Sequence, residues 1–218
     1  MSRCTNAMQS KAVLLGNSGV GKTQFMVATF DDPTLELAAL PRNGETATIG
    51  VDFRQTTRMT RQGEPFKLLI WDTAGQERFA NLMPNYTRSS EGIALLFDTT
   101  DRASFDDLAR RWLPLIDEHR QATGHDRVVC YLVANKIDLI DQRVVSQADG
   151  VAFAEAHHMI YAETTALRRP TVHRIINDMV QRIYDIRTHV GGAPRPVVNR
   201  TTVVVHNNAS RSNKCCNR

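Results

Sequence analysis

Eight residues, Gly16-Asn17-Ser18-Gly19-Val20-Gly21-Lys22-Thr23, stand directly behind the apolar run Lys11 to Leu15 and ahead of a helix. The pattern GxxxxGK[ST] in that setting commits the chain to a strand, a tight loop and a helix in succession, the unit from which parallel α/β sheets are assembled. Consecutive backbone N–H groups of such a loop, with the positive end of the helix behind them, form a concave site for phosphate oxygens, and Gly21 lets the backbone come close to them. Lys22 supplies a point charge for β- and γ-phosphates, and the Thr23 hydroxyl is a hard oxygen ligand suited to Mg²⁺. A glycine-rich turn of no function is the bland alternative. The string arises by chance in roughly one chain of this length per hundred, and its strand and helix context makes it rarer still.

The rest of the chain continues the alternation. Ile93 to Phe97 and Val128 to Ala134 are near-continuous apolar runs, as expected of parallel strands covered on both faces. Val51 to Thr60 and Phe66 to Trp71 flank Arg61 to Glu64 and read as a hairpin at one sheet edge. Phe105, Leu108, Trp112 and Leu115 recur at helical spacing, with Pro114 expected to kink that helix. Ser146 with Asp149 makes a capping-box start to the next helix. Pro170 opens a last helix whose apolar face is Val172, Ile175, Ile176, Met179, Val180 and Ile183. Beyond about Val190, Gly, Pro, Asn, Ser and Arg dominate, and a disordered tail is expected, with Thr201 to Val205 its one strand-like patch.

Length and charge bound the remaining options. A chain of 218 residues, 42% hydrophobic, buries one full-sized core and hardly two. The tail carries Arg195, Arg200, Arg211, Lys214 and Arg218 with no acid, against a formal net charge of +4 for the whole chain, so the globular part is close to neutral at −1. The basic pI near 9.0 therefore belongs to the tail and makes no case for nucleic-acid binding. The cysteines, at 4, 130, 215 and 216, resemble neither a disulfide framework nor a zinc site, and a reducing compartment fits them. Cys130 lies in an apolar strand and reads as packing. The seven histidines have no ligand spacing, so no transition metal is expected. Met1 to Ser10 lack the apolar centre of a secretion signal, and no apolar run approaches ~18 residues, so no membrane crossing is expected.

A phosphate loop does not choose a base; Asn135-Lys136-Ile137-Asp138, at the end of an apolar strand, does. The Asp138 carboxylate can accept from N1–H and the exocyclic amine of guanine, whereas adenine offers a lone pair at N1 and would leave a buried charge unpaired. The Lys136 stem can lie along the base plane, and Asn135 can brace the phosphate loop. On its own the four-residue string is ordinary turn composition; behind a phosphate loop and at a strand's carboxyl end it carries weight.

Ile70-Trp71-Asp72-Thr73-Ala74-Gly75-Gln76-Glu77-Arg78-Phe79 and Thr48-Ile49-Gly50-Val51-Asp52-Phe53 complete a set that resembles the Ras superfamily and, within it, the Rab family. The resemblance covers about Lys11 to Arg187. It implies a P-loop α/β fold, a six-stranded, mostly parallel sheet with one antiparallel edge strand and about five helices. The expected domain plan is a flexible extension over 1–10, a GTPase domain over 11–188 and a variable tail over 189–218. The resemblance further implies that Asp72 holds Mg²⁺ through water, that Thr48 ligates the metal and, with the Gly75 N–H, meets the γ-phosphate side, and that Gln76 orients the attacking water. Thr164-Thr165-Ala166-Leu167 resembles the family's base-contacting Thr-Ser-Ala-Lys, with Leu167 in place of lysine and the Ala166 N–H reaching the guanine oxygen. Ile49, Phe53, Trp71 and Tyr86 match residues that effectors read; for Trp71 a core role is equally compatible with its strand position.

The spacing from Thr23 to Thr48 is longer than most members have, with no aromatic between Phe30 and Phe53 to edge the guanine, and faster nucleotide exchange is expected. Cys215 and Cys216 in the final four residues resemble Rab tails bearing two geranylgeranyl groups; Cys-Asn-Arg fits a CaaX box poorly. One lipid binds a membrane marginally and two bind it stably, with the basic tail favouring anionic leaflets. The implied partners are GTP or GDP, an exchange factor, a GTPase-activating protein, effectors, a GDP-dissociation inhibitor, a Rab escort protein, a geranylgeranyltransferase and the cytosolic face of an endomembrane. A monomer is expected. A slowly hydrolysing trafficking switch and a binding module that holds GTP without useful turnover are the two readings the residues allow, and Gln76, Thr48 and Lys22 favour the first.

Overall fold

The computed structural model describes residues 7–30, 51–73, 87–124 and 127–188. In chain order these form β1 (Met8–Leu15), α1 (Lys22–Ala28), β2 (Val51–Met59), β3 (Pro65–Thr73), β4 (Gly92–Asp98), α2 (Arg102–Asp107), a π-helical turn (Leu108–Trp112), α3 (Leu113–Thr123), β5 (Val129–Asn135), α4 (Gln147–Ala156), β6 (Ile160–Glu163) and α5 (Arg169–Thr188). The strands make one six-stranded sheet ordered β2-β3-β1-β4-β5-β6. Only β2 runs antiparallel, paired with β3 across the hairpin. The expected architecture is the observed one.

Alternate residues of each central strand feed opposite cores, which is why these strands read as unbroken apolar runs. Ala12, Leu14, Leu96 and Val133 face α1 and α5, where Phe25, Met26, Val172, Ile175, Ile176, Met179 and Ile183 are buried. Val13, Leu15, Leu95 and Leu132 face the other side, under Phe105, Leu108, Trp112 and Ile116. Each of these larger side chains contributes about 1.5 to 3 kcal/mol on full burial. Cys130 is buried there too, and desolvation pushes its thiol up to about 11, the state of an inert packing residue.

Three local expectations meet the structure in different ways. The capping box is present, with Ser146 Oγ accepting from the Asp149 N–H at 3.1 Å and the Asp149 carboxylate accepting from the Ser146 N–H. β1 starts at Met8 and not at Lys11, because buried Ser10 satisfies its hydroxyl on Glu91 Oε2 at 2.6 Å and so can continue the pairing with β3. Pro114, expected to kink its helix, lies in the first turn of α3 directly behind a π-helical turn that closes with Leu113 N–H on Leu108 O, so the helical run changes its hydrogen-bond pitch just ahead of the proline.

Candidate functional site

The carboxyl ends of β1, β3, β4, β5 and β6 converge at one edge of the sheet. The connections leave β1 toward one side and β4 toward the other, the crevice where open α/β sheets take ligands. The phosphate loop fills it. Gly16 has φ 133° and lies so close to β4 that a Cβ there would come within 2.2 Å of Leu96 O. Gly21 has φ 95° and caps α1; its Cβ would fall 2.4 Å from Asn135 Nδ2. Only glycine fits at either end. Val20 is buried beneath the loop, while Ser18 and Gly19 form its exposed rim.

Lys22, 5% exposed, folds back across the loop and donates from Nζ to Gly16 O at 2.9 Å and Asn17 O at 2.7 Å. Burial lowers its ammonium to about 8, an effect that the charge of Asp72 only partly offsets. Asp72, fully buried at the end of β3, lies opposite Leu14 of β1 and accepts from the Thr23 hydroxyl at 2.5 Å. A buried carboxylate and a hydroxyl brought together beside a lysine form the hard-oxygen set that Mg²⁺ takes when waters and phosphate complete its shell. The donors present fit that ion.

Asn135 is the keystone between two loops. Its Nδ2 donates to Val20 O at 2.8 Å, the expected brace on the phosphate loop, and its Oδ1 accepts from the Ala166 N–H at 3.0 Å. The Ala166 N–H, expected on the guanine oxygen, is thus taken up by the asparagine, since that amide oxygen needs a donor once its NH₂ holds Val20. The Leu167 N–H has a 3.4 Å bond to Thr165 Oγ1, and Thr165 is buried beside it. Lys136 adopts φ 64° and anchors its ammonium on Asp98 Oδ2 at 2.6 Å, which stretches its stem between β5 and the end of β4. Asp138 is exposed, its carboxylate available to a base.

Two supporting features carried no sequence signal. Asp98 is a lone acid after an apolar run, identified as Lys136's anchor only by the pairing of Asp98 with Asn135. Arg143 Nη2 donates to Glu163 Oε1 at 2.5 Å, and Tyr161 OH donates to the same oxygen at 2.8 Å. This knot ties the segment after Asp138 to the strand before Thr164. Phe53 and Trp71 face each other across the hairpin, rings 5.2 Å apart and stacked, with Lys11 Nζ 4.2 Å above the indole. Phe53 is 58% exposed, while Trp71 is partly buried and packs on the core, the second of the two positions its strand allowed. Thr48, Ile49, Gly75, Gln76, Tyr86, Cys215 and Cys216 lie outside the described residues, as do the tail and the lengthened segment before Thr48.

A sequence model of the Ras family matches residues 11–185. Ras-related protein Rab-18 of Caenorhabditis briggsae is 38% identical over 173 residues, 79% of each chain. The chain belongs to the Rab family of small GTPases. GTP-binding protein YPT1 of Saccharomyces cerevisiae is 40% identical across 79% of this GTPase and 78% of its own length, and Ras-related protein Rab-30 of Homo sapiens is 41% identical across 79% of both. GTP hydrolysis is the family activity, and the matched span takes in all of the fold but the first three residues of β1 and the last three of α5. Among the described residues no helix of this GTPase is long and apolar enough to cross a membrane.

Proposed function

We propose that the chain is a Mg²⁺-dependent GTP/GDP switch that hydrolyses GTP slowly, is accelerated by a GTPase-activating protein, and regulates vesicle traffic from the cytosolic face of an endomembrane. The observation that carries this reading is the Thr23 hydroxyl on the buried Asp72 carboxylate beside Lys22, at the mouth of a glycine-lined loop. Lys22 meets the β- and γ-phosphates with the charge it now shares with two carbonyls. Thr23, Thr48 and, through water, Asp72 would hold Mg²⁺, which when bound would neutralise charge on the phosphate oxygens. Gly16 to Thr23 wrap the phosphates. Asp138 selects guanine, Lys136 flanks its plane, and Thr165, Ala166 and Leu167 close the base pocket from the β6 side. Gln76 orients the attacking water. Thr48 and the Gly75 N–H hold the γ-phosphate, and its loss releases both segments, since two charge-assisted hydrogen bonds at about 1.5 to 3 kcal/mol each offset the ordering of a few residues.

Effectors read Ile49, Phe53, Trp71 and Tyr86. Geranylgeranyl groups on Cys215 and Cys216, installed through an escort protein and transferase and masked by a GDP-dissociation inhibitor, supply the membrane attachment, and an exchange factor reloads GTP. Single-turnover GTP hydrolysis tests the core of this reading. Gln76→Leu should lose most turnover while still binding GTP. Equal rates in the two proteins would remove Gln76 from the mechanism, and a wild type that binds GTP without measurable turnover would leave the binding-module reading.

A further inference from the structure

The Asn17 side chain turns away from the phosphate loop and is gripped at both ends of its amide. Its Nδ2 donates to Asp107 Oδ2 at 2.7 Å, and its Oδ1 accepts from Trp112 Nε1 at 2.9 Å. Asp107 and Trp112 are five residues apart. In an α-helix, at about 100° per residue, they would point to faces about 140° apart and could not hold one amide between them. The intervening turn is instead π-helical, closed by the Leu113 N–H on Leu108 O, and residues five apart stack in a turn closed by i→i+5 bonds. The backbone carbonyl of Asn17 is meanwhile the acceptor for Lys22 Nζ at 2.7 Å. A continuous set of hydrogen bonds thus runs from the π-turn through Asn17 to the phosphate-binding ammonium.

We infer that Asp107 and Trp112 are positioning residues for nucleotide retention, which act by fixing Asn17 and, through its carbonyl, the place of the Lys22 ammonium. The inference rests on the loop binding phosphate. Trp112 has a packing role as well, since its ring is 7% exposed in the second core, but packing does not require its N–H to meet a phosphate-loop side chain. The polarity of the grip is specific. Asp107 has only acceptors and Trp112 only a donor, so an amide is the side chain that satisfies both.

The test is the release rate of a fluorescent GDP analogue from the full chain, with melting temperature measured alongside. Trp112→Phe keeps an aromatic ring in the core, though a smaller one, and removes the donor, and release should accelerate about fivefold. Asn17→Asp retains the acceptor for Trp112 but sets two carboxylates against each other, and release should accelerate more than about tenfold. Adding Asp107→Asn to Asn17→Asp exchanges donor and acceptor and should return release to within about twofold of wild type, an outcome that mere loss of packing would not produce. The inference is overturned if the double variant is no slower than Asn17→Asp alone, or if Trp112→Phe releases at the wild-type rate. A wild type that retains no GDP at all would instead reject the phosphate-loop reading beneath it.

Discussion

Lys22 is held almost out of water between two carbonyls of its own loop, and its ammonium is correspondingly easy to discharge. Displacement from the usual 10.5 to about 8 corresponds to about 3 kcal/mol of opposition to the charged form, with burial the larger cause and Asp72 the partial remedy. Below about pH 8 the lysine is charged whether folded or unfolded, and the folded protein bears that cost. Between about 8 and 10.5 the unfolded chain binds the extra proton, so the stability of the nucleotide-free protein should rise with pH through that window. Nucleotide binding has the opposite sign. Bound phosphates favour the ammonium and raise its pKa, so GDP affinity should be full below about pH 8 and fall above it, by up to tenfold per pH unit. Calorimetric titrations at pH 7, 8 and 9 read this directly, and a flat profile would mean that Lys22 does not share its charge with phosphate. The place of Lys22 in the loop was legible because the motif's fixed spacing carries it. The anchor of Lys136 was not, since nothing marks Asp98 apart from any strand-end acid until β4 and β5 pair. Nor did the sequence reveal that one Asn135 amide would claim both Val20 O and the Ala166 N–H.

A proline inside a run of helical spacing removes one N–H from the ladder, and the helix either bends or changes its hydrogen-bond pitch there. The chain changes pitch: α2 passes without a break into the π-helical turn, and α3 follows from Leu113 with Pro114 in its first turn. Sequence periodicity revealed the helix because Phe105, Leu108 and Trp112 all bury toward β4 and β5; it could not show the change of pitch, which depends on one missing donor and on Asn17 across the loop. If Pro114 stabilises the π-turn, Pro114→Ala restores an α-helical donor and relaxes the turn, rotating Trp112 away from Asp107. The expected result is a melting temperature equal to or above wild type, with GDP release accelerated several-fold; unchanged release would assign the π-turn to its contacts and not to the proline. The short strand β6 and the first three residues of β1 were illegible for a related reason. Four residues carry little period, and Ser10 enters β1 only because Glu91 is there to receive its hydroxyl.

Across the whole molecule the nucleotide edge and the root of the tail lie at opposite ends of the sheet. Asp98 and Asn135 close the carboxyl ends of β4 and β5, whereas Glu91 precedes β4 and holds the last turn of α5 through Arg187, with Nε on Oε1 at 2.8 Å and Nη2 on Oε2. A seven-residue strand spans about 20 Å, so the phosphate loop lies on the far side of the domain from the point where the chain leaves α5. Charge divides the same way, with five basic residues in the tail and a body near neutrality. Membrane attachment should therefore depend on the tail's lipids and cations with little help from the domain surface. Protein purified from eukaryotic cells should float with anionic vesicles when both Cys215 and Cys216 are intact. Cys216→Ser should reduce flotation to a partial, salt-sensitive level, because one lipid binds only marginally and the remaining attraction is electrostatic and screened. Cys215→Ser with Cys216→Ser should abolish it, since about 1 kcal/mol per basic residue near the surface does not hold a folded domain against physiological salt without a lipid. Flotation of that double variant at the wild-type level would place the membrane contact on the domain and reverse the orientation derived from α5 and Glu91.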